Sequence, residues 1–192
     1  MEKLKVLGIC GSLRQGSTNR KLLQIAKKFA ADFGAEVAEA DLNNPLLPLY
    51  NQDIQDAGWP PEVKQLKDMV KASDVLLIAS PEYNYSIPGV LKNAIDWVSR
   101  GENEFNGKTA AIFGASSGGF GTVRGQAHLR LSLTGVNVLI LPQPQVMVGF
   151  GETAFNPDGA LKDEKTAERL KKLVHMTMET AAARKTGEIS KR

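Results

Sequence analysis

The sequence predicts an α/β domain, a doubly wound five-stranded parallel sheet in the order 2-1-3-4-5 with helices on both faces. Three observations carry this. Apolar runs of strand length alternate along the chain with segments of helical periodicity. The run 74–80 (DVLLIAS) is nearly all apolar, as a central parallel strand buried on both faces requires. Two chemically unusual loops follow the first and third runs. In a sheet of this order, strands 1 and 3 flank the point where strand order reverses, and ligands bind beyond their carboxyl ends.

Residues 4–9 form a short apolar run ending at Cys10-Gly11, a buried strand. After the loop 11–18, Leu22, Leu23, Ile25, Ala26 and Phe29 recur at helical spacing, and Gly34 closes that helix. Residues 37–42 alternate as a second strand. The segment 43–61 holds Pro45, Pro48, Gly58, Pro60 and Pro61 and reads as a long loop, of a length usually tied to function. Pro61 opens a helix through Val63, Leu66, Met69 and Val70. Beyond the third strand, 88–100 is a helix with Pro88 at its start and Gly101 past its end. Residues 109–115 are a fourth strand, 122–133 a helix and 136–141 a fifth strand. An irregular Pro- and Gly-rich stretch then leads to a final helix, 161–183. Five strands and five helices with right-handed crossovers make one domain, 1–184. The mildly basic 185–192, with few apolar residues, is expected as a flexible tail.

The 192 residues suffice for one sizeable core, and 42% hydrophobic with 23% charged residues is ordinary globular composition. The net charge of +3 is spread rather than blocked, so a nucleic-acid partner is not expected. No apolar run is long enough for membrane insertion. With no signal-peptide pattern after Met1 and one cysteine, Cys10, the expected compartment is the cytoplasm. Cys10 reads as a small buried hydrophobe. His128 and His175 lie far apart with no spaced partners, so no metal site is expected. No serine occupies a G-x-S-x-G elbow. A chain without acid–base or nucleophile machinery, yet built around a ligand, fits chemistry carried by a cofactor.

The first loop, GSLRQGSTNR, joins a buried strand directly to a helix and so offers backbone N–H groups and the positive end of the helix dipole to an anion. Ser12, Ser17, Thr18 and Asn19 add short polar side chains, and Arg14 adds a fixed charge. Gly11 and Gly16 have the spacing of a triphosphate-binding loop, but Ser17 stands where its lysine belongs. No Asp ends the third strand to position magnesium, so an intact monophosphate fits better. The competing reading is a helix start that Ser17, Thr18 or Asn19 merely caps.

The second loop, SPEYNYSIPG, is stiffened by two prolines and carries Tyr83 and Tyr85, which can shield a planar ring. A rigid turn with packed tyrosines explains it equally well. The third loop, ASSGGFG at 115–121, lets backbone approach a ligand closely. Gly119, Gly121 and Gly125 form a loose GxGxxxG, but its spacing is wrong for a dinucleotide site, and no acidic residue ends the fifth strand to hold a ribose.

GSLRQGSTNR and PEYNYSIPGVLKNAIDWVSR, in order and correctly spaced, with PLYNQD in the long loop between them, closely resemble the NADPH-dependent FMN reductase family over almost the whole chain, especially its bacterial quinone and chromate reductase branch. The resemblance implies a flavodoxin-like fold with one non-covalent FMN per subunit. It places Ser12, Arg14, Ser17, Thr18 and Asn19 on the FMN phosphate, and Pro81, Glu82, Tyr83 and Asn84 along the isoalloxazine, mostly through backbone. Ser116, Ser117 and Gly118 would contact the far side of the ring. It names no catalytic side chain and leaves Arg100 as a contact for an anionic acceptor or the nicotinamide. NADPH or NADH would donate electrons, and a quinone or another small oxidant (chromate, other metal oxyanions, azo compounds) would take them, in a ping-pong two-electron cycle. It implies a homodimer or homotetramer built on the helix bearing Asn93, Asp96 and Trp97, with the 50–53 loop bordering a partner's flavin. The alternatives are a flavin reductase supplying reduced FMN to another protein, a flavodoxin-type carrier, which the positive charge disfavours, and a flavin-based redox sensor.

Overall fold

The computed structural model describes residues 3–187. Strands β1 (Lys5–Cys10), β2 (Glu36–Ala40), β3 (Val75–Ala79), β4 (Thr109–Ala115) and β5 (Leu139–Ile140) form a parallel sheet in the order β2-β1-β3-β4-β5. β3 and β4 are buried at every position, which is why their sequences run almost unbroken in apolar residues. Helices α1 (Thr18–Asp32) and α6 (Glu164–Thr186) cover one face, packing Leu22, Leu23, Leu170 and Val174 on the sheet. Helices α3 (Pro61–Ala72), α4 (Gly89–Val98) and α5 (Val123–Gly135) cover the other with Leu66, Val70, Leu91, Ile95, Leu129 and Leu133. The predicted fold class and strand order are those of the structure.

Three segments depart from the sequence reading. The fifth strand is two pieces: β5 spans two residues, and β6 (Val146–Val148) resumes beside the carboxyl half of β4, making six strands among the described residues. Pro142 and Pro144 have no N–H to donate to the ladder, so pairing lapses between the pieces. The long loop contains a sixth helix, α2 (Gln52–Ala57), capped by the Asn51 side chain, which accepts from the Asp53 N–H at 2.8 Å. The last helix starts at Glu164, where Asp163 caps it, and continues through Thr186 to a left-handed Gly187. Lys185 and Thr186, expected in the tail, are therefore helical, and Lys185 pairs with Asp74 at 3.2 Å. The remainder of the expected tail, 188–192, lies outside the described residues.

The long loop is pinned to α4. The Pro48 carbonyl accepts from Asn93 Nδ2 at 2.9 Å and from Trp97 Nε1 at 2.7 Å, while Asn93 Oδ1 accepts from the Tyr50 N–H at 2.8 Å. Trp97 is fully buried, with Tyr50 edge-on to its ring. It is thus a packing residue beneath the loop and offers no surface to a partner. Asn93→Ala is expected to cost about 1–2 kcal/mol by removing both loop ties, and to speed proteolysis within 43–60. Unchanged cleavage would show that the loop is held otherwise.

Candidate functional site

Loop 1 (11–17) leaves β1 against the end of β3, where the Gly11 N–H donates to Ala79 O at 2.8 Å. It then turns, Ser17 N–H to Arg14 O at 3.1 Å, and enters α1. Ser17 Oγ accepts from the Asn19 and Arg20 N–H groups at 3.2 and 3.4 Å, so this serine is a helix cap. Asn19 is 3% exposed, and its amide clamps the end of β4 from both sides: Nδ2 donates to Ala115 O and Oδ1 accepts from Ala115 N, each at 2.8 Å. Among the described residues, four groups on three residues here remain without intramolecular partners. They are the Ser12 hydroxyl, on a residue 4% exposed, the N–H and hydroxyl of Thr18, and the Arg14 guanidinium. These donors cluster at one helix start, a place whose dipole and free N–H groups suit an anion.

Loop 2 (80–88) carries a two-residue turn in which Tyr83 and Ser86 exchange both backbone hydrogen bonds, at 3.1 and 3.0 Å. The central residues Asn84 and Tyr85 have φ of 49° and 64°. This geometry suits asparagine, but it strains a tyrosine, whose Cβ crowds the backbone there. The Glu82 carboxylate turns away from the loop onto α5, where Oε2 accepts from the Arg124 and Gly125 N–H groups at 2.9 and 2.8 Å. The Arg124 guanidinium lies 4.5 Å from the Tyr85 ring centre.

Loop 3 (116–122) is folded on itself. Ser116 Oγ donates to Gly121 O at 2.6 Å and its N–H to Val148 O at 3.0 Å. Gly114 permits loops 2 and 3 to lie side by side, since a Cβ there would overlap the Ser80 carbonyl oxygen. The glycines of the loose GxGxxxG have packing reasons: Gly119 faces the Phe150 ring, Gly121 the Met147 backbone and Gly125 the Glu82 side chain.

The three loops enclose a cleft of about 340 Å³ beyond the carboxyl ends of β1, β3 and β4. Its lining contains Ser12, Arg14, Ser17, Thr18, Asn19, Pro81, Glu82, Tyr83, Ser116 and Ser117. Of the predicted residues, Asn84 and Gly118 are exposed and stand outside that lining. Ala115, the first residue of ASSGGFG, and Glu152, which no motif in the sequence marks, complete it. Other grooves of similar size, about 350 and 360 Å³, lie at β1–β2–α3 and at α1–α6, lined chiefly by apolar side chains. Arg100 does not join the cleft of its own chain. It stands past the carboxyl end of α4, 5.0 Å over the Tyr50 ring. Burial pushes the Cys10 thiol up, so it stays protonated and unreactive. Among the described residues no His, Cys, Asp and Glu group could hold a metal ion, and no helix is long and apolar enough to cross a membrane.

The residues fit a phosphorylated planar cofactor: unpartnered donors at a helix start, two backbone-rich loops beyond it, and a volume in the small-molecule range. Comparison with known proteins agrees. The model of a family described as NADPH-dependent FMN reductase matches residues 4–153. An NAD(P)H-dependent FMN reductase of Pseudomonas aeruginosa is 48% identical over 168 residues, 87% of this chain and 89% of that one. An NAD(P)H:quinone oxidoreductase of Solanum tuberosum is 42% identical over 173 residues, 88% of each chain. Among solved structures, the flavoenzyme NAD(P)H:(acceptor) oxidoreductase FerB of Paracoccus denitrificans superimposes with a TM-score of 0.82 at 36% identity, covering 93% of this chain and 97% of that one.

Proposed function

This chain belongs to the NADPH-dependent FMN reductase family, and from that premise we propose that it is an FMN-dependent NAD(P)H oxidoreductase that reduces quinones by two-electron transfer. The observation that carries this reading is the cleft at the switch point, with donors on loop 1 unpartnered among the described residues and backbone-rich loops 2 and 3 beyond. Non-covalent FMN would supply the redox chemistry there, taking a hydride from the nicotinamide and passing two electrons to the acceptor.

The chain's own residues bind and orient. Ser12, the Thr18 N–H and Arg14 would hold the phosphate. Ser17 and Asn19 act behind them, fixing the start of α1 to itself and to β4. Pro81, Glu82, Tyr83 and Asn84 would line one side of the ring, and Ser116, Ser117 and Gly118 the other. The N–H groups of 117–119 donate to no acceptor among the described residues and would stabilise negative charge on the reduced ring. Tyr83, 52% exposed, would border the face where nicotinamide and acceptor alternate.

The potato relative's name supports a quinone as acceptor. Chromate, other metal oxyanions and azo compounds stand as further acceptors to be assayed. We place the enzyme in the cytoplasm, as a homodimer or homotetramer. In such an assembly the Tyr50–Arg100 corner would border a partner's cleft, and Arg100 would meet an anionic acceptor or the nicotinamide there. A second reading, release of reduced FMN to another protein, is favoured by the name of the Pseudomonas relative.

Anaerobic NADPH is expected to bleach the flavin absorbance of the FMN-loaded protein, and a benzoquinone to restore it. Bleaching without restoration would favour the second reading, and no bleaching by NADPH or NADH would refute both.

A further inference from the structure

We propose that the Glu82 side chain is a positioning residue that acts through α5: by capping that helix from another loop, it locks loops 2 and 3 into one rigid frame for the cofactor ring. The proposal rests on the flavin reading of the cleft.

Helix α5 lacks a cap of its own. Thr122 holds the N-cap position, but its hydroxyl accepts from the Gln126 side chain at 2.9 Å and from no backbone N–H, which leaves the first N–H groups without a local acceptor. Glu82, 42 residues away for Arg124 and 43 for Gly125, supplies it with one oxygen shared by two adjacent N–H groups. The negative carboxylate sits on the positive end of the helix. Its other oxygen lies 3.9 Å from the Arg124 guanidinium, with the Glu82 side chain 12% exposed. Gly125 gives the approach room, because a Cβ there would crowd Glu82 Cβ at 3.2 Å and Ser86 O at 3.3 Å.

The backbone around Glu82 needs such an anchor. Tyr85 is held in the left-handed region, a conformation that a tyrosine does not favour, so local preference opposes the turn. Arg124 lies between the Tyr85 and Phe120 rings, at 4.5 and 5.6 Å. The chain of contacts thus runs from loop 2 through Glu82 and Arg124 to loop 3 and back to the strained residue. The same geometry also neutralises the carboxylate at the wall of the cleft, where a free negative charge would oppose electron-rich reduced flavin.

The test compares wild type with Glu82→Ala, Glu82→Gln and Gly125→Ala. FMN affinity is read by fluorescence quenching, the bound flavin by its visible spectrum and midpoint potential, and the FMN-free protein by hydrogen exchange. Glu82→Ala is expected to weaken FMN about tenfold, because binding must then reorder loops 2 and 3 at the expense of part of what the charged hydrogen bond contributed, and to shift the spectrum and potential. It should also speed exchange in 82–86 and 117–121 together. Glu82→Gln keeps an oxygen for both N–H groups and should recover affinity to within about threefold of wild type. Gly125→Ala, which crowds the Glu82 stem with the carboxylate intact, should shift FMN affinity and exchange in the same direction by a smaller amount. If Glu82→Ala lowers the melting temperature but leaves FMN affinity, spectrum and paired exchange unchanged, Glu82 is a structural cap and the proposal fails. A wild-type chain that binds no FMN while exchange responds as expected overturns the flavin reading and keeps the frame.

Discussion

Ser12→Ala combined with Arg14→Ala is expected to weaken FMN binding by about a hundredfold or more, at one to two powers of ten for each charge-assisted bond lost, with little change in melting temperature. Both side chains line the cleft without hydrogen-bond partners among the described residues, so their removal orphans no group there. Ser17 would be the poorer choice despite its place in the loop. Its hydroxyl caps α1, and Ser17→Ala would cost about 1 kcal/mol of stability on that account. Titration with riboflavin gives the control. A loss shared equally by riboflavin and FMN would take the phosphate away from Ser12 and Arg14.

Asn19→Ala should produce the larger structural effect. It deprives the Ala115 N–H and carbonyl of their partners at the end of a fully buried strand. Each orphaned group costs about 1–3 kcal/mol, and the two together should lower the melting temperature by roughly 10 °C in a domain of this size. FMN affinity should fall as well, because the start of α1 loses its tie to β4. Asn19→Asp cannot rescue it, since a carboxylate would accept from Ala115 N but face Ala115 O with no donor. A melting temperature within a degree or two of wild type would show that the clamp is not formed.

How much of this was legible in the sequence depended on the range of the interaction. β4 was readable at its bounds, 109–115, because burial on both faces leaves an unbroken apolar run. β5 lies inside the expected 136–141 but is shorter, and β6 was not legible, since three residues after Pro142 and Pro144 give no period. α2 was hidden for a similar reason: six residues with no buried member leave no apolar stripe. The cleft itself was readable because its loops combine unusual local chemistry with a place set by topology. What each side chain does there was less so. Asn19 reads as one more phosphate donor until its partner, 96 residues away, is known. Glu82 reads as a ring contact until its carboxylate is found on α5. Glu152 follows an irregular Gly-rich stretch and enters the cleft only through tertiary folding.

The central claim, that the loop 1 cleft holds FMN by its phosphate, is most directly tested by titrating the FMN-free protein with FMN and with riboflavin under the same conditions. The account predicts saturation at one FMN per chain and a riboflavin affinity at least about tenfold weaker, the contribution of one or more charge-assisted bonds to phosphate. Equal affinity for the two flavins, or no saturable FMN binding, would contradict it.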